Sequence, residues 1–183
     1  MLFRSLAGGQ LHRARLLAGE WRGVRRAFAE APSRLDGTGA VVWAVVADLE
    51  AAMASASEHL ERRHATEVAE HEADLERRGY DARAVRSRRK RLAERHKREG
   101  NRLRTDLMLE GVTAIESVYR DALAAPAPPR NSDVRIPDLD AVHCAKALDA
   151  CRHARTALVT NEKGSVHLVH LLTSLPLHRL RDR

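Results

Sequence analysis

The chain has 183 residues, enough for one domain with a sizeable core or one domain with an appended piece. Aromatics make up 3% and hydrophobic residues 44%, so strands have little to build on while wholesale disorder is excluded. The formal charge of +7 points to a polyanionic partner or an acidic protein surface, though free use of arginine gives the same balance.

Alanine, leucine, arginine and glutamate dominate, residues that lose little side-chain entropy in a helix. The expected fold class is therefore all-α, a bundle of about five or six helices. Residues 1–30 read as one or two short helices: Gly8-Gly9 breaks the first, and Leu11, Ala14, Leu17 and Ala18 then keep helical spacing. Ala31-Pro32-Ser33 and Asp36-Gly37-Thr38-Gly39 punctuate the next stretch. From Ala40 to Met53 the chain is apolar on most sides, which predicts a buried helix. Beyond Ser57 the same helix turns polar, with His59, Glu61, Arg62, Arg63, His64, Glu67, Glu70, His71 and Glu72 running out into solvent.

Arg77-Arg78-Gly79-Tyr80-Asp81 interrupts the helix, and a long basic, partly exposed central segment spans 77–104. From Arg83 to Arg104 eleven Lys and Arg stand against Glu94 and Glu99, a local +9 that leaves about −2 for the rest of the chain. Leu92 and Leu103 are the large aliphatic residues between Arg86 and Arg104, so the stretch is expected to stay unburied and to be partly unfolded when unbound. Helical period then returns in Met108, Val112, Ile115, Tyr119 and Ala122. A Pro-rich linker over 125–137 ends that helix. Pro137-Asp138 starts another, with Leu139, Val142, Ala145, Leu148, Cys151 and Leu158 as its apolar stripe. Asn161 to Gly164 form a turn, and a last helix carries Val166, Leu168, Val169, Leu171, Leu172 and Leu175 up to Pro176. The tail from Leu177 to Arg183 reads as frayed.

Cys144 and Cys151 sit two turns apart on one helix, roughly 10 Å, too far for a disulfide, and read as core residues of a reduced protein. No apolar run approaches the ~20 residues of a membrane span, and the first residues carry no signal-peptide core, so a cytoplasmic location without membrane contact is expected.

Catalytic patterns are missing. There is no glycine-rich phosphate loop, no nucleophile elbow and no zinc-protease helix, and no nucleophile, base and orienting group fall together. His143, Cys144, Cys151 and His153 offer soft ligands, but one helix presents at most two or three of them to one ion. The pairs His64 with His71 and His167 with His170 lack a third ligand. The expectation is a chain without catalytic site, metal, cofactor or small-molecule substrate.

The basic run leaves two readings open. Arg86, Arg88, Arg89, Lys90, Arg91, Arg95, Lys97 and Arg98 would neutralise phosphates in sequence-independent, salt-sensitive DNA contact, or the segment is a solvated linker. No aromatic lies between Tyr80 and Tyr119, so base stacking here is not expected.

Three stretches resemble one family. Gly8-Gly9-Gln10-Leu11-His12-Arg13-Ala14-Arg15-Leu16-Leu17-Ala18 looks like the end of the AAA+ lid in the delta-prime clamp-loader subunit of bacterial DNA polymerase III. Leu75-Glu76-Arg77-Arg78, the basic run and Ile115-Glu116-Ser117-Val118-Tyr119-Arg120-Asp121-Ala122-Leu123 are similar to the actinobacterial form of that subunit. Ala147 to Ala154, on through Asn161, with Leu168 to Leu175, looks like its closing helical hairpin. The resemblance implies residues 1–30 as the end of the lid and 31–183 as the helical collar, the family's AAA+ module with its zinc loop and arginine finger preceding the matched region. It implies a non-catalytic subunit of a polymerase holoenzyme that hetero-oligomerises with the other clamp-loader subunits in DNA replication. Leu168, Leu171 and Leu172 are expected to divide between the internal core and a partner interface. The alternative is a stand-alone small basic helical DNA-binding or nucleoid-associated protein.

Overall fold

The computed structural model describes residues 19–124, 127–134, 138–160 and 164–177. The lid-like motif before residue 19 and most of the turn and tail assigned to 161–164 and 177–183 lie outside them. The fold is all-α: among the described residues there are five helices and no strand. They are α1 (Arg22–Arg34), α2 (Gly39–Arg78), α3 (Ala82–Leu123), α4 (Ala141–Thr160) and α5 (Gly164–Ser174).

Short polar residues set the helix boundaries. The Thr38 hydroxyl accepts from the Val41 amide at the start of α2, and the Asp81 carboxylate accepts from the Ala84 amide at 2.8 Å at the start of α3. Between them Gly79 takes the left-handed conformation (φ 60°) that closes α2 at the Arg77-Arg78-Gly79 break. Asp140 receives the His143 amide at 2.8 Å, so α4 starts at Ala141 rather than at Pro137-Asp138.

The core lies at one end of the molecule. Val24 and Phe28 of α1, Val45 and Leu49 of α2, Leu107, Val112 and Ile115 of α3, Cys151 of α4 and Leu171 of α5 are all buried in one cluster. Helix α3 packs on α1 and α4, while α2 packs on α1, α3 and α5. The boundary expected at residues 30 and 31 falls inside α1, whose Val24 and Phe28 belong to this shared core. Where α1 crosses α3, the Phe28 ring lies so close on Gly111 that a methyl group there would overlap it.

Four expectations change. The apolar start of α2 is buried on one face only: Val42, Val45, Val46, Leu49 and Met53 point inward, but Trp43 is 62% exposed. Helix α2 is also long and apolar enough to cross a membrane by length and composition, one such helix among the described residues, with 28% of its most apolar window buried. One such helix is weak evidence for a span, because the test is by length and composition only, and its inward residues Val42, Val45, Val46, Leu49 and Met53 belong to the core. The stripe of α4 is shifted: Cys144, Ala147, Cys151, Ala154 and Leu158 are buried, while Val142 and Ala145 face out and Leu148 is half-buried. The buried face belongs to a helix that packs on both α3 and α5. Finally, the basic run is helical throughout, because α3 continues unbroken from Ala82 to Leu123.

The segment after α3 is pinned to the bundle. Asn131 is fully buried, and its backbone and side-chain amides both donate to Asp121, at 2.8 and 2.7 Å. Its carbonyl oxygen accepts from Arg25 of α1 at 3.1 Å and from the Ser117 hydroxyl at 3.2 Å. Arg25, itself 2% exposed, also pairs with Asp133. Nothing local in the sequence announces this contact, whose partners lie more than a hundred residues apart.

Candidate nucleic-acid interface

Beyond the core, α2 and α3 run on together as an antiparallel arm. Its ion pairs step backward along α2 as they advance along α3: Arg89 with Glu72, Arg95 with Glu67, Arg63 with Glu99, and at the root Arg104 with Glu50. Leu75 is the one buried residue between 57 and 106. About twenty residues of each helix, or ~30 Å, are therefore held with only a sparse apolar seam, Leu75 and the half-buried Leu60, Val85, Leu92 and Leu103.

Polar side chains fill the seam instead. His64 and His96 stack with ring centroids 3.9 Å apart and planes 8° from parallel. Each imidazole donates through Nε2 to a carboxylate of the opposite helix, His64 to Glu99 at 3.0 Å and His96 to Glu67 at 2.8 Å. Both carboxyls lie below the usual glutamate range, Glu67 chiefly through the His96 hydrogen bond and Glu99 chiefly through that from His64. Glu72 is lowered by its hydrogen bonds from Arg89. The spacing of His64 with His71 misses this pair, since the true partner of His64 lies on the other helix. An antiparallel register about the Gly79 turn is the signal that would have found it.

This arrangement sorts the basic residues. Arg89 and Arg95 flank the seam and are neutralised by Glu72 and Glu67, and Arg88 lies over the Tyr80 ring at 4.2 Å. Lys90 reaches only Glu94 of its own helix, at 3.9 Å. Arg86, Arg91, Lys97 and Arg98 make no ion pair among the described residues and are exposed. A period of 3.6 residues sets these four, with Arg83, Lys90 and Arg102, within roughly half of the helix circumference. The opposite half carries the seam residues Leu92, His96 and Glu99. The geometry thus separates a neutralised inner set from an outward cationic face with Glu94 as its acid.

The residues expected at a partner interface lie elsewhere than on the surface. Leu168, Leu171 and Leu172 are each 1% exposed, packed in the chain's own core. An exposed apolar face occurs instead on α2, where Ala40, Trp43, Ala44, Ala47, Ala51 and Ala54 follow helical spacing and all face out.

Among the described residues no group of three or more His, Cys, Asp or Glu could hold a metal ion. Both cysteines are free and buried, and burial pushes the Cys151 thiol up to about 12 and raises Cys144 as well. The buried Tyr119 hydroxyl beside them has no hydrogen-bond partner among the described residues, and its phenol too is raised by burial. Such groups are poor nucleophiles and suit a packed core. No protein-family model matches the chain, and neither a curated protein nor a solved structure matches it significantly.

Proposed function

We propose that this chain is a non-catalytic assembly module of a DNA polymerase III clamp loader, delta-prime-like, acting in DNA replication through subunit oligomerisation. The observation that carries the reading is the outer face of α2. A tryptophan 62% exposed, set among alanines on a helix whose other face is core, is a surface shaped for another helix. Small residues let a neighbouring helix approach closely, and Trp43 supplies an anchor with a large apolar area. The motifs from Leu75 to Leu123 and from Ala147 to Leu175 supply the family likeness, and the all-α bundle is consistent with it.

The occupant of this face is then the helical collar of a neighbouring loader subunit. Gel filtration and cross-linking of the chain with the other clamp-loader subunits test this. The expected result is a complex that Trp43→Glu disperses while the far-ultraviolet helical signal stays unchanged. A monomer that ignores every loader subunit would overturn the reading. The alternative, a stand-alone basic helical DNA-binding or nucleoid-associated protein, needs no partner at α2 and predicts that Trp43→Glu changes no assembly.

A further inference from the structure

We infer that the outward face of α3 is a docking surface for the phosphate backbone of duplex DNA, with Arg86, Arg91, Lys97 and Arg98 as its central contacts. The inference is independent of the loader reading, since it uses none of the residues of the α2 outer face.

The fold neutralises some of the charges and leaves others bare. Helix α2 supplies seven carboxylates alongside the basic run, Glu58, Glu61, Glu67, Glu70, Glu72, Asp74 and Glu76, against its eleven cations, so the fold selects which cations are neutralised. It uses Glu67 and Glu72 to hold Arg95 and Arg89, and Asp74 pairs with Arg77 and Arg78 of its own helix. The cations that point away from α2 keep their charge. Four arginines and lysines without partners, ringed by Arg83, Lys90 and Arg102, repel one another in the free chain, and a polyanion relieves that repulsion.

Geometry selects the polyanion. From Arg86 to Arg98 the face extends ~18 Å along the helix. A helix of diameter ~10–12 Å matches the ~12 Å width of the DNA major groove, so cations on both edges of the face reach phosphates of both strands. No aromatic side chain lies on the face, and the nearby Tyr80 ring is covered by Arg88. Single-stranded binders rely on base stacking, which this face cannot offer. Duplex DNA, with one negative charge per ~1.7 Å of axis, is the denser target. Between the cations the outward polar residues are Ser87, Glu94 and Asn101, seven residues or roughly 10 Å apart along the axis, too sparse to read neighbouring base edges. The contact is consequently sequence-independent.

The test is a fluorescence-anisotropy titration of the full chain with two unrelated 20-base-pair duplexes between 50 and 200 mM salt. Four phosphate contacts predict a slope near −3.6 in log affinity against log salt, a loss of roughly 100-fold over that range, equal for both duplexes. Two double variants with the same change in net charge are compared, Arg91→Ala with Arg98→Ala and Arg89→Ala with Arg95→Ala. The outward pair should lower the slope by about 1.8 and the affinity on the order of tenfold, and the inward pair should change both far less. Circular dichroism of each variant keeps a folding defect distinguishable from lost contact. Equal losses from the two pairs would mean that net charge alone acts and would overturn the assignment. No binding at 50 mM salt, or tighter binding to phosphatidylserine vesicles than to either duplex, would overturn it as well.

Discussion

The two ends of this molecule are held together by different physics. In the bundle, five helices share one core of closely packed aliphatic residues, and its few buried polar groups are mostly matched, as where Arg25, Asn131 and Asp121 join α1 to α3 and the segment after it. In the arm, the same two helices continue with Leu75 as the one buried residue, and carboxylates, imidazoles and guanidinium groups meet across the seam. Exposed ion pairs contribute little individually and are screened by salt, whereas buried apolar area contributes steadily. The lesson is a division of labour: a stable scaffold at one end, and at the other an extended element that is marginal by itself and presents charge.

Changes at the bundle end should have the largest effects. Arg25→Ala empties a fully buried side-chain site, leaves the Asn131 side-chain oxygen with the Ser117 hydroxyl alone, and should cost about 3–5 kcal/mol, read from denaturant unfolding. Leu171→Ala opens a cavity where the side chain is 1% exposed and should cost about 2–5 kcal/mol. A cost below ~1 kcal/mol there would mean that Leu171 faces a partner rather than the core. Gly111→Ala forces the Phe28 ring aside and should cost about 1–3 kcal/mol. Phe28→Leu in the same chain should recover part of that loss, which ties the effect to the crossing of α1 and α3.

The arm should respond to solution conditions rather than to side-chain volume. Glu67, Glu72 and Glu99 hold lower carboxyl values in the folded chain than in the unfolded one, each chiefly through a hydrogen bond from the facing helix. Their contribution is therefore complete above the ordinary glutamate value of about 4.3 and is lost as pH falls through the folded value. Acidification below about pH 4 should loosen the arm before the bundle melts, seen as a decline in helical ellipticity that precedes loss of the tertiary signal. A single coincident acid transition would contradict the separation of the two ends. The smallest effect belongs to Glu72→Gln, which frees Arg89 and should leave the main thermal transition in place.

Much of this was legible in the sequence, and the failures are instructive. The all-α class, the break at Gly79 and the face of Met108, Val112, Ile115 and Tyr119 follow from propensity and period alone. Helix α4 carries apolar residues on more than one face, and its packing on α3 and α5 buries Cys144, Ala147 and Cys151 rather than Val142 and Ala145. The residues of the basic run offer little burial and by themselves predict partly unfolded character, yet α2 supplies the missing partners from across the turn. The eight basic candidates are evident in the sequence. Their division into neutralised and outward sets required the register of the arm. The buried Asn131 within a Pro-rich stretch had no local signature at all.

Amide hydrogen exchange, followed with and without a 20-base-pair duplex, tests the central claim most directly. In the free chain, amides of α3 from Leu107 to Tyr119 should exchange slowest, and those from Arg83 to Arg102 faster by orders of magnitude. Adding the duplex should slow exchange between Arg83 and Arg102 and leave α4 and α5 unchanged. Uniform protection along α3 in the free chain, or DNA-induced protection confined to α4 and α5, would contradict the account.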